Sequence, residues 1–133
     1  MNKAAVLTEA LPYIQDFCGS TVLVKVGGSV MESEATLDSL LADIAFMDAV
    51  GMKVVLVHGG GKAISKAMAD AGLEARFVNG LRVTTPEAID IVERTLSGTI
   101  NPGLVEMMRA HGGKAVQCRH HVLGRSDALH LTG

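Results

Sequence analysis

The sequence predicts an α/β protein of three layers, with helices on both faces of a mainly parallel sheet. Three features lead there. Short, continuously apolar runs recur as "TVLVKV" (21–26), "KVVLV" (53–57) and "KAVQC" (114–118). Helical periodicities fill the intervals between them, and glycine turns follow the first two runs, the second after His58. A strand apolar at every position suits burial on both faces, and strands that alternate with helices imply parallel crossovers. With 133 residues the chain is long enough for one domain with a real core.

Taken in order, residues 4–18 read as an amphipathic helix. Leu7, Leu11, Ile14 and Cys18 recur at helical spacing, with Val6, Ala10 and Phe17 beside them. Pro12 should kink it or restart it, and Gly19 should end it. The first strand, Thr21–Val26, runs into Gly27-Gly28. Leu37, Leu40, Leu41, Ile44 and Met47 carry a helix that stops at Gly51. The second strand runs into Gly59-Gly60-Gly61 and a helix ending near Gly72. Asn79-Gly80 is a hairpin dipeptide between two short extended segments. Thr85-Pro86-Glu87 supplies a cap, a proline at the first helical position and an acid in the first turn. Asn101-Pro102 repeats the cap-proline signal, so that helix should break there and restart. "RHHVLGRSDALHLTG" has no clear period and reads as a solvated tail.

Glycine at a strand-to-helix turn permits positive φ and lets a ligand approach backbone amides without a Cβ in the way. The helix behind it adds unpaired N–H groups and a positive dipole end. Two such turns at the carboxyl ends of strands, one of them triple, point to an anion site, for phosphate or carboxylate. Two named glycine motifs are excluded. A Walker loop needs glycine at 56 and Ser or Thr at 63, where this chain has Leu56 and Ala63; a dinucleotide fingerprint begun at Gly59 needs glycine at 64, which is Ile64.

Lys25 stands inside the first strand, where an ammonium is expensive without a negative partner; it is placed to meet the anion the glycines hold. Arg82 follows the hairpin dipeptide and is able to take a carboxylate bidentately. His58 is read as shaping the triple-glycine turn by hydrogen bonding. His120, His121, Asp127 and His130 form no defined ligand set, so no metal site is assigned. A net charge of −2 leaves no footprint for nucleic acid, and no apolar run approaches a bilayer span. Cys18 and Cys118 stand in no metal or redox spacing and read as reduced thiols of a cytoplasmic protein.

"VKVGGS" (24–29), "VLVHGGGKAI" (55–64), "NGLRVT" (79–84) and "LSGTINPGLV" (96–105) together resemble the acetylglutamate kinases of the amino acid kinase family, in order and spacing, over residues ~20–118. The resemblance implies a partial amino acid kinase fold and phosphoryl transfer from ATP, with Mg2+, to the side-chain carboxylate of N-acetyl-L-glutamate in arginine biosynthesis. It implies that Lys25 is catalytic and neutralises the transferring phosphoryl group. Gly27 and Gly28 would bind the nucleotide phosphates, and Gly60, Gly61 and Arg82 the substrate. Residues 1–18 look like the extra helix of hexameric, arginine-inhibited members, and the Pro86 helix corresponds to the family's dimer region. A homo-oligomer with an arginine effector follows by the same resemblance. The expected organisation is an N-terminal helix at 1–18, a substrate-binding lobe at 19–118 and an off-pattern tail at 119–133. The resemblance reaches only about the first half of the family's length, so a truncated or frame-shifted reading of a longer gene is expected, inactive alone. The alternative is a non-catalytic module that joins full-length subunits.

Overall fold

The computed structural model describes residues 2–118 and 128–131. In chain order it contains α1 (Lys3–Phe17), β1 (Thr21–Val26), α2 (Gly28–Met31), α3 (Glu34–Ala49), β2 (Lys53–His58), α4 (Gly61–Asp70), β3 (Arg76–Val78), β4 (Leu81–Val83), α5 (Pro86–Thr95), a π-helical segment (Leu96–Ile100), α6 (Asn101–Ala110), β5 (Ala115–Cys118) and β6 (Ala128–Leu131).

The local signals explain most of these elements. Asn2 and Ser33 cap α1 and α3 by accepting from Ala4 N and Thr36 N, and Thr85 caps α5 by accepting from Ala88 N, with Pro86 at the first position. Asn79 and Gly80 both have positive φ, +50° and +77°, as a tight two-residue hairpin turn requires, and they join β3 to β4. Pro12 does not divide α1, which runs unbroken to Phe17.

The main sheet has the order β1-β2-β6-β5. β1 and β2 pair in parallel, Thr21 opposite Lys53 through Val26 opposite His58, joined by the α3 crossover. β6 is antiparallel to both β2 and β5. Sequence periodicity left this strand unassigned, because four residues carry too little pattern; the solvated-tail reading gives way to a strand at 128–131. The β5–β6 connection, 119–127, is shorter than the dozen or so residues a parallel crossover needs, so the pair is antiparallel. His120, His121 and Asp127 lie outside the described residues, and His130 falls in β6.

One face of the sheet is the core. Val26, Val54 and Leu56 pack with Leu37, Leu41 and Ile44 of α3 and Leu104, Val105 and Met108 of α6. Leu41 is fully buried, and truncating such a side chain to alanine costs about 2–5 kcal/mol. A smaller cluster, Ile64, Met68, Ala88 and Leu96, joins α4 to α5 and the π segment. The opposite face carries Leu23, Lys25, Val116 and Cys118, all exposed, with Leu23 at 68%. Among the described residues α3 and α6 pack on the buried face of the sheet.

The expected helix break at Asn101 is absent. Ile100 and Asn101 both keep right-handed helical angles, and Asn101 N–H bonds to Leu96 O, a π-helical turn. Pro102 has no N–H and its ring crowds the preceding turn; widening the helix by one residue absorbs both without a break.

Candidate functional site: a glycine-walled cleft

Gly28, Met31 and Glu32 on one side, and Gly60, Gly61, Lys62 and Ile100 on the other, enclose a cleft of about 160 Å³. A larger, shallower depression of about 460 Å³ lies on α3, between Ala35, Thr36, Ser39, Leu40 and Asp43. It is lined by a single helix and gathers no converging backbone donors, so the glycine cleft is the better candidate site.

The turns have this geometry for reasons of approach rather than handedness. None of Gly27, Gly28, Gly59, Gly60 or Gly61 lies in the left-handed region that favours glycine; Gly60 has φ 178° and ψ 24°. The positive-φ explanation offered by glycine in general does not operate here. A Cβ at Gly60 would stand 2.6 Å from Ile100 Cδ1 and 2.8 Å from Leu96 Cδ2, so the π segment packs directly on that backbone. A Cβ at Gly27, Gly28, Gly59 or Gly61 would meet nothing within 4 Å, which leaves their backbone open to a ligand. Beyond Gly60 the first amides of α4 have no intrahelical acceptors, because the ladder begins with Ile64 N–H to Gly60 O.

Arg82, on β4, folds back over α4. Its Nη2 donates to Gly61 O at 2.9 Å and to Ser65 Oγ at 2.7 Å, Nη1 lies 3.3 Å from Met68 Sδ, and the guanidinium sits 4.7 Å from the centre of the Phe77 ring. The hairpin turn brings Phe77 opposite Arg82, and the cation–π contact orients the side chain. Ser65, Phe77 and Met68 were not legible as partners of Arg82, because none is near it in sequence except through the hairpin. Lys62 pairs with Glu32 at 2.5 Å and ties the two walls of the cleft together.

Lys25 is apart from this group. It lies on the open face of β1, opposite Val57 in the register, and does not line the cleft. Since it is exposed, the burial cost anticipated for an ammonium in an apolar strand does not arise. Gly27 caps α2 and Gly28 begins it. The structure thus gathers Gly28, Gly60 and Gly61 at one cleft, with Arg82 attached through Gly61, and leaves Lys25 two residues before the first turn. His58 meets its expectation: Nδ1 is 2.9 Å from Gly59 O. Asn101, 3.1 Å from His58 Nε2, was read only as a helix signal.

No group of three or more His, Cys, Asp or Glu among the described residues is arranged to hold a metal ion. Glu32, the carboxylate at the cleft, is engaged by Lys62. The described residues at the cleft therefore gather no set of carboxylates that would hold Mg2+ without the nucleotide. No helix among the described residues is long and apolar enough to cross a membrane.

An α/β sheet with a cleft between two strand-to-helix glycine turns belongs to the class that binds small molecules at the carboxyl ends of its strands. Residues 20–130 match the model of the amino acid kinase family, and the chain belongs to that family. It is similar to the acetylglutamate kinase of Akkermansia muciniphila, with 62% identity over 116 residues, which is 87% of this chain and 39% of that protein. Similarity to the acetylglutamate kinase of Nitrosococcus oceani is 42%, over 99% of this chain and 44% of that protein. Among solved structures, N-acetylglutamate synthase from Neisseria gonorrhoeae, complexed with coenzyme A and L-arginine, superposes with a TM-score of 0.63 at 25% identity, over 95% of this chain and 28% of that one. The chain thus spans about two fifths of the length of the curated relatives it matches.

Proposed function

We propose that this chain is the substrate-binding half of an acetylglutamate kinase, which uses ATP to phosphorylate the side-chain carboxylate of N-acetyl-L-glutamate in arginine biosynthesis. The observation that carries the proposal is the convergence of Gly28, Gly60 and Gly61 on one cleft, with the Arg82 guanidinium bonded to the Gly61 carbonyl. The names of the two curated relatives supply the substrate.

In this reading the reacting carboxylate lies against the amides of Gly60 and Gly61, at the N-terminus of α4. There the helix dipole and the unpaired N–H groups stabilise an anion. Arg82 grips the substrate's α-carboxylate with the N–H groups its contacts to Gly61 and Ser65 leave over. Gly27 and Gly28 present amides to the nucleotide phosphates. A carboxylate oxygen then attacks the γ-phosphorus, the bond to ADP breaks, and an acyl phosphate forms. Lys25 offsets the negative charge of the transferring group. Such a transfer needs positioning and charge compensation, and no protein nucleophile. Mg2+ would come with the nucleotide, held by its phosphates. The site of action is the cytoplasm.

Calorimetric titration of the chain with N-acetyl-L-glutamate, glutamate, aspartate and carbamate tests the substrate. Saturable binding of N-acetyl-L-glutamate in preference to the other three is expected; equal or absent binding would sink the proposal. Turnover is proposed for the whole enzyme, so measurable phosphorylation by the 133-residue chain alone would contradict the division into halves.

A second role is favoured by one specific observation. No residue of α1 is buried, and Val6, Leu7, Leu11, Tyr13 and Phe17 are exposed along it. Such a helix fits a surface of another subunit, which supports the alternative of an assembly module. Homo-oligomers built through α1 and the Pro86 helix, with arginine as effector, belong to the same proposal. Light scattering of the chain with and without a full-length partner decides it, and failure to form a mixed oligomer would end it.

A further inference from the structure

Behind the triple-glycine turn lies a buried polar pair that the proposed reaction leaves unused. His58 is 1% exposed and Asn101 0%. The Asn101 Nδ2 amide is 3.1 Å from His58 Nε2, and His58 Nδ1 is 2.9 Å from Gly59 O. One neutral tautomer satisfies both contacts. The proton resides on Nδ1 and is donated to the Gly59 carbonyl, while the Nε2 lone pair accepts from Asn101. Among the described residues, Asn101 Oδ1 is buried without a hydrogen-bond partner. A buried amide with its oxygen unmet costs stability, and an apolar side chain would pack there at less expense. What asparagine adds is a donor that selects the imidazole tautomer.

The π turn delivers that donor. It carries Asn101 to His58 and at the same time brings Leu96 and Ile100 against Gly60. One segment therefore holds the turn twice, by packing on Gly60 and through the hydrogen-bonded chain from Asn101 to His58 to Gly59. The Gly59 carbonyl and the Gly60 N–H share a planar trans peptide and point in opposite directions. Anchoring the carbonyl inward on His58 turns the N–H outward to the cleft.

We propose that Asn101 and His58 are positioning residues of the anion site, with Asn101 holding His58 in the Nδ1–H tautomer that aims the Gly60 amide at the bound carboxylate. The identity of the carboxylate rests on the function proposed above; the tautomer and the peptide orientation do not.

The test is NMR on the 15N-labelled full chain. Long-range 1H–15N correlations report the His58 tautomer, amide shifts report Gly60 and Gly61, and titration with N-acetyl-L-glutamate reports affinity. In the wild type the proton is expected on Nδ1. Asn101→Leu should release the tautomer, shift the Gly60 amide and weaken binding about tenfold. Asn101→Asp, of the same shape but acceptor only, should draw a second proton onto Nε2, keep Nδ1–H on Gly59 and retain most of the affinity. His58→Asn, whose side-chain amide is able to donate to Gly59, should recover part of the binding that His58→Leu loses. Circular dichroism checks that each variant folds.

A wild-type ring protonated on Nε2 alone overturns the proposal. So do an unmoved Gly60 amide and unchanged affinity in Asn101→Leu. If that variant does not fold, Asn101→Asp decides, and loss of Nδ1–H in it is a refutation. If the wild type fails to bind N-acetyl-L-glutamate, the substrate assignment falls, and the tautomer with the Gly60 shift judges the pair by itself.

Discussion

Gly60 and Gly28 face the same cleft from opposite sides, the first backed by side chains and the second by open space. Behind Gly60 stand Ile100, Leu96 and the His58–Asn101 pair, and after it runs a helix of ten residues. Behind Gly27 and Gly28 nothing lies within 4 Å of a built Cβ, and α2 has four residues and no side-chain cap. Peptide planes clamped by packing and hydrogen bonds are oriented before a ligand arrives, so binding there carries a smaller ordering cost. A rigid wall for a small acid opposite an adaptable wall for phosphates suits the two proposed ligands.

The contrast is most open to challenge at Arg82, which is bonded to the clamped side alone. Arg82→Ala is expected to weaken N-acetyl-L-glutamate binding by roughly 1.5–3 kcal/mol, about ten- to hundredfold, and Arg82→Lys not to restore it. Gly28→Ala should leave that affinity nearly unchanged. Calorimetry showing equal losses in Arg82→Ala and Gly28→Ala would put the acid at both walls and end the proposed division.

Stability separates the turns next. Gly60→Val must displace Ile100 and Leu96 together and is expected to cost about 1–3 kcal/mol, whereas Gly28→Ala should stay within about 0.5 kcal/mol. Urea denaturation compares them, and equal midpoints would mean that the π segment yields freely and clamps nothing.

A smaller effect is expected where the walls meet. The Lys62–Glu32 pair is well exposed at both ends, so Glu32→Gln should cost no more than about 1 kcal/mol, and less in high salt. A cost that persists in 1 M salt would indicate a tie stronger than surface charge.

The smallest signal is in α5, the helix that leads into the clamp. A hydrogen bond from its own backbone N–H and one from the Thr85 hydroxyl hold the Glu87 carboxyl below its ordinary range. The folded pKa is lower than the unfolded one, so this contribution is complete above the unfolded value and is lost as pH falls through the folded one. Denaturation midpoints measured on acidification should therefore drop slightly less in Glu87→Gln than in the wild type; identical profiles would remove Glu87 from the account.

Much of this was legible in the chain because its causes are local. The Asn79-Gly80 turn, the Thr85 cap, the strands at 21 and 53 and the helix stops at Gly51 and Gly72 each follow from a few adjacent residues and their backbone preferences. The glycines of the cleft were legible as a site, though for a partly different reason, since none of them uses the left-handed region. The misreadings have a common origin. Pro102 signalled a helix break, and a wider helical turn absorbed it. Lys25 looked buried because its neighbours are apolar, yet it stands on the open face of the sheet. The strand at 128–131 is too short to show a period and exists by pairing with β2 and β5.

What the sequence determined by itself is the alternation of strand and helix, the two glycine turns at strand ends and the family to which their spacing belongs. Each depends on torsional preference or on the order of residues along the chain. Only the tertiary structure decided which glycine is clamped and which is open, that Asn101 reaches His58 across 43 positions, and that Arg82 lies along Gly61 and Ser65. Those are contacts between segments distant in sequence, and they become favourable only after the core has closed and fixed the segments against one another.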